Sequence, residues 1–163
     1  KALTDTMLIT AVIMIIIGYS MVMGWLLAIE QIPQQLAEAV LLTTEDRHIF
    51  LAMLIIFLLL IGTVVEGVPA KLILVPMLLP ITDQFGIDRV HFGLIITNAL
   101  LIGIATPPMG IGLYIMVKVG NVSFERVAIA VLPFLIPLLL VLLLITYILG
   151  LTLWFPNLVL GPE

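Results

Sequence analysis

The chain has 163 residues, 63% hydrophobic and 10% charged, with a mean hydropathy of +1.37. Soluble domains are about a quarter charged, so this composition excludes a water-exposed globule and points to a lipid-embedded protein. Six Lys+Arg against ten Asp+Glu leave a net charge of −4, which excludes a basic surface for nucleic acid.

The absence of Cys excludes disulfides, thiolate metal sites and Cys nucleophiles. Two His without a metal-binding spacing, and Ser only at Ser20 and Ser123, leave little for hydrolysis, so an enzyme is not expected. The chain opens at Lys1 on an apolar run too long for a signal-peptide core, and reads as a segment of a longer polypeptide.

Charges divide the chain into apolar stretches. Residues 7–29 are uncharged and long enough to cross a ~30 Å hydrocarbon core at ~1.5 Å per residue. Residues 31–47 are polar. Gln34, Gln35 and Glu38 share one side of a helix and Leu36, Ala39 and Val40 the other. An interfacial linking helix is expected there, with an ordinary loop helix as the plainer reading.

Residues 48–61 and 69–79 are apolar arms around Gly62-Thr63-Val64-Val65-Glu66-Gly67. Each arm is about 14 residues or fewer, roughly 20 Å as helix. Two short arms about a glycine-flanked turn suggest a re-entrant hairpin; the alternative is one full span and a peripheral helix. Non-helical backbone at membrane depth survives only where protein buries it or a wet cavity receives it, so the tip is a candidate site.

Residues 92–117 are uncharged but contain Pro107 and Pro108. These remove the amide donors that would serve the carbonyls of Gly103 and Ile104, and Thr106 is pushed from helical angles. The expected result is a helix over 92–104, a break, and a second helix over 109–119 with a proline in its first turn. A merely kinked helix is the bland alternative. A break presents free carbonyls at one end and free amides at the other. Carbonyls suit Na⁺, and helix N-terminal amides suit a carboxylate.

A last span is expected over 127–150, kinked at Pro133 and Pro137, followed by a tail with Trp154 and Phe155 as interface anchors. Lys1, Lys118 and Arg126 favour a cytoplasmic side opposite Arg47 and Arg89. The eight Met are scattered and read as packing residues.

The order of span, linking helix, hairpin, broken helix and span is similar to the second inverted repeat of the ion transporter superfamily. The residues narrow the likeness. Gly62-x-x-x-Glu66, Pro76-x-x-x-Pro80, Phe85-Gly86-Ile87-Asp88-x-x-His91-Phe92-Gly93, Asn98 and Gly103-x-x-Thr106-Pro107-Pro108-x-Gly110 follow in order. Together they resemble the large membrane subunit of tripartite ATP-independent periplasmic (TRAP) transporters. The motif region covers residues 61–112, and the flanking helices match mainly in layout.

The resemblance implies an all-α integral membrane fold, half of an elevator-type secondary transporter with a re-entrant hairpin and a discontinuous helix. Residues 1–30 would be a scaffold helix, 31–47 the linking helix, 48–84 the hairpin and 85–120 the discontinuous helix of the transport domain. Residues 121–163 would form a second scaffold helix and tail. The implied function is Na⁺-coupled import of an organic acid (a dicarboxylate, sialic acid or sugar acid) across the bacterial inner membrane. The implied partners are a periplasmic binding protein, a small four-helix membrane subunit, separate or fused, and an N-terminal repeat of the same subunit. Na⁺ is the coupling ion; no organic cofactor or transition metal is expected. Two other readings are a dicarboxylate or citrate symporter of the same superfamily working without a binding protein, and a passive anchoring subunit.

Superfamily relatives carry Ser-Asn-Thr at their hairpin tips, which this tip lacks, so backbone carbonyls must contribute more here. Thr106 is the leading sodium ligand, with Gly62, Thr63, Gly103 and Ala105 supplying further oxygens. Gly62 and Gly103 have the alternative role of allowing close helix packing. Substrate contacts fall to Glu66, Gly67, Asn98, Pro107, Pro108 and Gly110. Glu66 has further readings as the neutraliser of a nearby cation or as a cap for the helix after the tip; Lys71 reads as its ion-pair partner, as a residue pointing toward an anionic substrate, or as a snorkelling residue. Asn98 is expected to steady the hairpin across helices or reach substrate. His91, beside Asp88 and Arg89, reads as an interface residue.

Overall fold

The computed structural model describes residues 2–107 and 110–160. They form eight helices: α1 (Ala2–Ile29), α2 (Ile32–Thr43), α3 (Arg47–Val64), α4 (Gly67–Gln84), α5 (Arg89–Ile104), α6 (Ile111–Gly120), α7 (Phe124–Tyr147) and α8 (Leu149–Leu160). Helix suits a lipid-facing chain, because it satisfies its backbone groups internally. Residues 3–29, α3 and α7 are long and apolar enough to cross a membrane.

Local chemistry sets the boundaries. Asp46 caps α3, its carboxylate accepting from the amides of His48 (2.7 Å) and Ile49 (3.3 Å). Asp88 does the same for α5, accepting from Val90 (2.8 Å) and His91 (3.0 Å). Between them α4 stops at Phe85, and Gly86 turns the chain with φ +63°, a conformation that suits a residue without a Cβ. Asn121, at φ 49° and ψ 43°, ends α6 in the same left-handed region.

The core is built on α5. Phe92, Ile95, Ile96, Ala99 and Leu100 of this helix are all buried, against Leu51, Leu54 and Leu58 of α3 and Leu74, Leu78 and Ile81 of α4. Arms α3 and α4 pack on α5 more than on each other, while α4 also carries α1 and α2. Phe50 stacks on Phe85 with ring centroids 4.2 Å apart, tying the start of α3 to the end of α4. Helix α1 lies mostly exposed, as do the outer faces of α7 and α8.

Three elements differ from the sequence expectation. Arm α3 runs 18 residues rather than stopping near Ile61, about 27 Å at ~1.5 Å per residue. Gly62 and Thr63 stay helical because α5 packs against them, and tertiary packing overrides propensity; the interruption shrinks to Val65 and Glu66. The second half-helix starts at Ile111 with Gly110 as its N-cap, so Pro107 is not in its first turn; Pro108 and Met109 lie outside the described residues. The tail after Gly150 is helical. The chain bends at Ile148 (φ −106°, ψ 85°), and α8 follows with Gly150 inside it.

Candidate functional site

Helices α3 and α5 run side by side in the same direction, and their C-terminal ends touch through glycine. A Cβ on Gly103 would stand 2.6 Å from the Cα of Gly62 and 3.0 Å from the carbonyl oxygen of Leu59. A Cβ on Gly62 would stand 2.9 Å from the carbonyl oxygen of Leu100. Only hydrogen fits on either side, so the backbones approach as closely as helices can.

The start of α4 joins the same place: a Cβ on Gly67 would lie 3.7 Å from Cδ1 of Ile104. So does the start of α6. A Cβ on Gly110 would meet the carbonyl oxygens of Ile104 at 2.8 Å and Thr106 at 2.9 Å, and one on Gly112 would meet that of Ile104 at 3.2 Å. Four helix ends thus gather around Ile104. Two are C-terminal and present carbonyl groups; two are N-terminal and present amides.

Hydrogen bonding at the break follows from the prolines. Gly103, deprived of its ordinary donor, accepts from the amide of Thr106 at 2.9 Å, a tighter turn of the 3₁₀ kind. The amide of Gly110 returns to the carbonyl of Thr106 at 3.2 Å. The carbonyl of Ile104 lacks its ordinary i+4 donor, because residue 108 in the sequence is a proline without an N–H. Thr106 donates its hydroxyl to the carbonyl of Ile102 (2.8 Å), which leaves the hydroxyl oxygen's lone pairs available. Thr63, buried, donates likewise to Leu60 at 2.8 Å.

The structure therefore brings Gly62, Thr63, Gly67, Gly103, Ala105, Thr106, Pro107 and Gly110 to one locus. Among the described residues no group of three His, Asp or Glu gathers anywhere, so a cation at this locus would rest on neutral oxygens.

Other expected residues fall elsewhere or act differently. Glu66 is the N-cap of α4 by backbone position, but its exposed side chain makes no capping hydrogen bond. Lys71 forms no ion pair with Glu66. Asn98 does not reach the hairpin: its amide donates to the carbonyl of Leu94 in its own helix at 2.8 Å, because that acceptor is always in reach one turn back.

His91 is the clearest correction. It is fully buried, not an interface residue. Its Nε2 lies 3.1 Å from the carbonyl of Thr146 and its Nδ1 2.8 Å from the hydroxyl of Thr152. The first contact requires an N–H at Nε2, since a carbonyl only accepts. The imidazole thereby ties the start of α5 to the bend between α7 and α8. Its neighbours Asp88 and Arg89 suggested a wet edge, and the partners that bury it lie about sixty residues away.

A family model described as "Tripartite ATP-independent periplasmic transporter, DctM component" matches residues 1–151. The chain belongs to this family. It is 40% identical over 99% of its length to the sialic acid TRAP transporter large permease protein SiaM of Vibrio cholerae, covering 38% of that protein. It is 37% identical over 90% of its length to the isethionate TRAP transporter permease protein DctMQ of Oleidesulfovibrio alaskensis, covering 23% of it. It is 32% identical over 99% of its length to the C4-dicarboxylate TRAP transporter large permease protein DctM of Vibrio cholerae, covering 36% of it. The DctM-family chain therefore spans well under half the length of these curated relatives. No solved structure matches it.

Proposed function

We propose that this DctM-family chain forms half of a sodium-coupled carrier that imports an organic acid handed over by a periplasmic binding protein. The names of its relatives carry sialic acid, C4-dicarboxylate and isethionate, all anions at neutral pH. The observation that carries the reading is the meeting of four helix ends around Ile104. Carbonyls of α3 and α5, with the Thr106 hydroxyl, would hold Na⁺; amides at the starts of α4 and α6 would hold the anion's oxygens.

In the proposed cycle, Na⁺ draws the hairpin tip and the α5–α6 break together and completes the anion site. The α3–α4 hairpin with α5 and α6 then moves as one body against a scaffold that includes α1 and α7, in an elevator mechanism. The hairpin would be re-entrant, α2 would lie along the interface, and the assembly would sit in the bacterial inner membrane. An N-terminal repeat and a small four-helix subunit would complete it.

Uptake by the reconstituted complex under a sodium gradient tests the reading. Thr106→Ser keeps an oxygen and is expected to keep the sodium dependence. Thr106→Ala removes one ligand and should raise the sodium concentration for half-maximal uptake at least ~10-fold, the loss of about 1.4 kcal/mol. An unchanged sodium dependence in Thr106→Ala rejects the assignment.

A further inference from the structure

The end of the molecule remote from the helix-end cluster holds a charge that the transport reading does not use. Arg47 opens α3, about 27 Å from that helix's C-terminus at ~1.5 Å per residue. Its Nε and Nη2 are buried and have no hydrogen-bond partner. The residue as a whole is partly exposed, but native proteins pair buried N–H groups, and leaving two of them without an acceptor is costly.

The identity of the two atoms says what is missing. Nε and Nη2 share one edge of the guanidinium plane, and their parallel N–H groups match the two oxygens of one carboxylate. Arg89 shows that edge in use: its Nε lies 3.4 Å and its Nη2 3.0 Å from the two carboxylate oxygens of Asp83.

Among the described residues no carboxylate pairs with Arg47. Asp46 and Asp88 each turn one oxygen, Oδ1, to the amides that open α3 and α5, and neither reaches the guanidinium. His91, near enough to feel the charges of both Arg47 and Asp88, has both ring nitrogens engaged with Thr146 and Thr152. The hydroxyl of Tyr147 donates to the carbonyl of His48 at 3.2 Å.

We infer that Arg47 is a docking residue, taken side-on by an Asp or Glu carboxylate outside these 163 residues, in the additional chain that the relatives carry beyond the matched segment. The pair would clamp the end of the bundle where α3, α5 and the α7–α8 bend meet. The inference does not rest on sodium coupling, so failure of the Thr106 test leaves it standing.

Two measurements on the full-length permease purified from membranes decide it. Arg47→Met deletes the charge and keeps the apolar stem. If the complete protein supplies a carboxylate, the variant strands that carboxylate and the thermal unfolding midpoint falls by several degrees. If the guanidinium stays unpaired, its removal raises the midpoint. Arg47→Lys keeps the charge and offers an amine for zero-length carbodiimide cross-linking, with the site located by mass spectrometry. Arg89→Lys, cross-linking to Asp83, is the positive control. The inference requires that the amine introduced by Arg47→Lys cross-link to an Asp or Glu beyond this chain, together with a lowered midpoint where Arg47→Met assembles. Where Arg47→Met does not assemble, the cross-link alone decides. A link to Glu45, Asp46, Asp88 or a phospholipid phosphate, no link while the control forms, or a raised midpoint each overturns it.

Discussion

At residue 103 a single methyl group decides whether two helices can touch. The nearest atoms, Cα and C of Gly62 at 2.6 and 2.7 Å, are backbone and cannot rotate away. Gly103→Ala must push α3 from α5, and overpacking of this kind costs about 1–3 kcal/mol. Gly93, earlier in the same helix and with nothing within 4 Å of its would-be Cβ, is the matched control. Gly93→Ala is expected to be neutral or to stabilise by up to ~1 kcal/mol through helix propensity. Thermal unfolding of the purified protein should show a lowered midpoint in Gly103→Ala alone, and uptake should be lost only in that variant. The same scale shows what sequence alone conveys. The glycines are recognisable as small residues near a break, with packing and ligation both open; the 2.6 Å approach makes packing a definite role. His91 departs from its sequence reading because local neighbours indicate exposure, whereas its burial comes from Thr146 and Thr152, distant in sequence.

At the scale of elements, the break between α5 and α6 follows from covalent chemistry, which is why it is legible in the sequence. Two consecutive prolines leave two carbonyls without their usual donors wherever they stand. The start of α6 is less legible, since it depends on Gly110 turning back to the Thr106 carbonyl, and arm lengths depend on packing against α5. Replacing both prolines, Pro107→Ala with Pro108→Ala, restores donors for Gly103 and Ile104 and should let α5 run on toward α6. The expected result is helical circular dichroism that is undiminished or slightly raised, with uptake reduced to that of empty liposomes. Normal uptake in this variant would show that the break is only a kink and that carbonyls freed there hold nothing.

At the scale of the whole molecule, composition suffices for a helical membrane protein, but which helices move together is a matter of how tightly their surfaces interlock. The α3–α5 seam is closed at backbone distance. The α1–α4 seam is looser: a Cβ on Gly24 would lie 3.9 Å from both the carbonyl oxygen of Leu72 and Cγ of Pro76, ordinary van der Waals contact. Pro76 also deprives the Leu72 carbonyl of its i+4 donor, so α4 turns a weakened stretch of helix toward α1. A seam of this kind can slide, and the proposed elevator needs α1 to stay while α4 travels. In Gly24→Cys with Pro76→Cys the Cβ at position 24 would lie 3.9 Å from where Cγ of residue 76 now stands, which brings the two thiols within reach of one another. The chain has no other Cys to interfere. Oxidation should arrest uptake and reduction should restore it, while each single Cys variant stays active under oxidant. If the oxidised double variant transports at the reduced rate, α1 rides with α4 as one body, and the scaffold lies elsewhere.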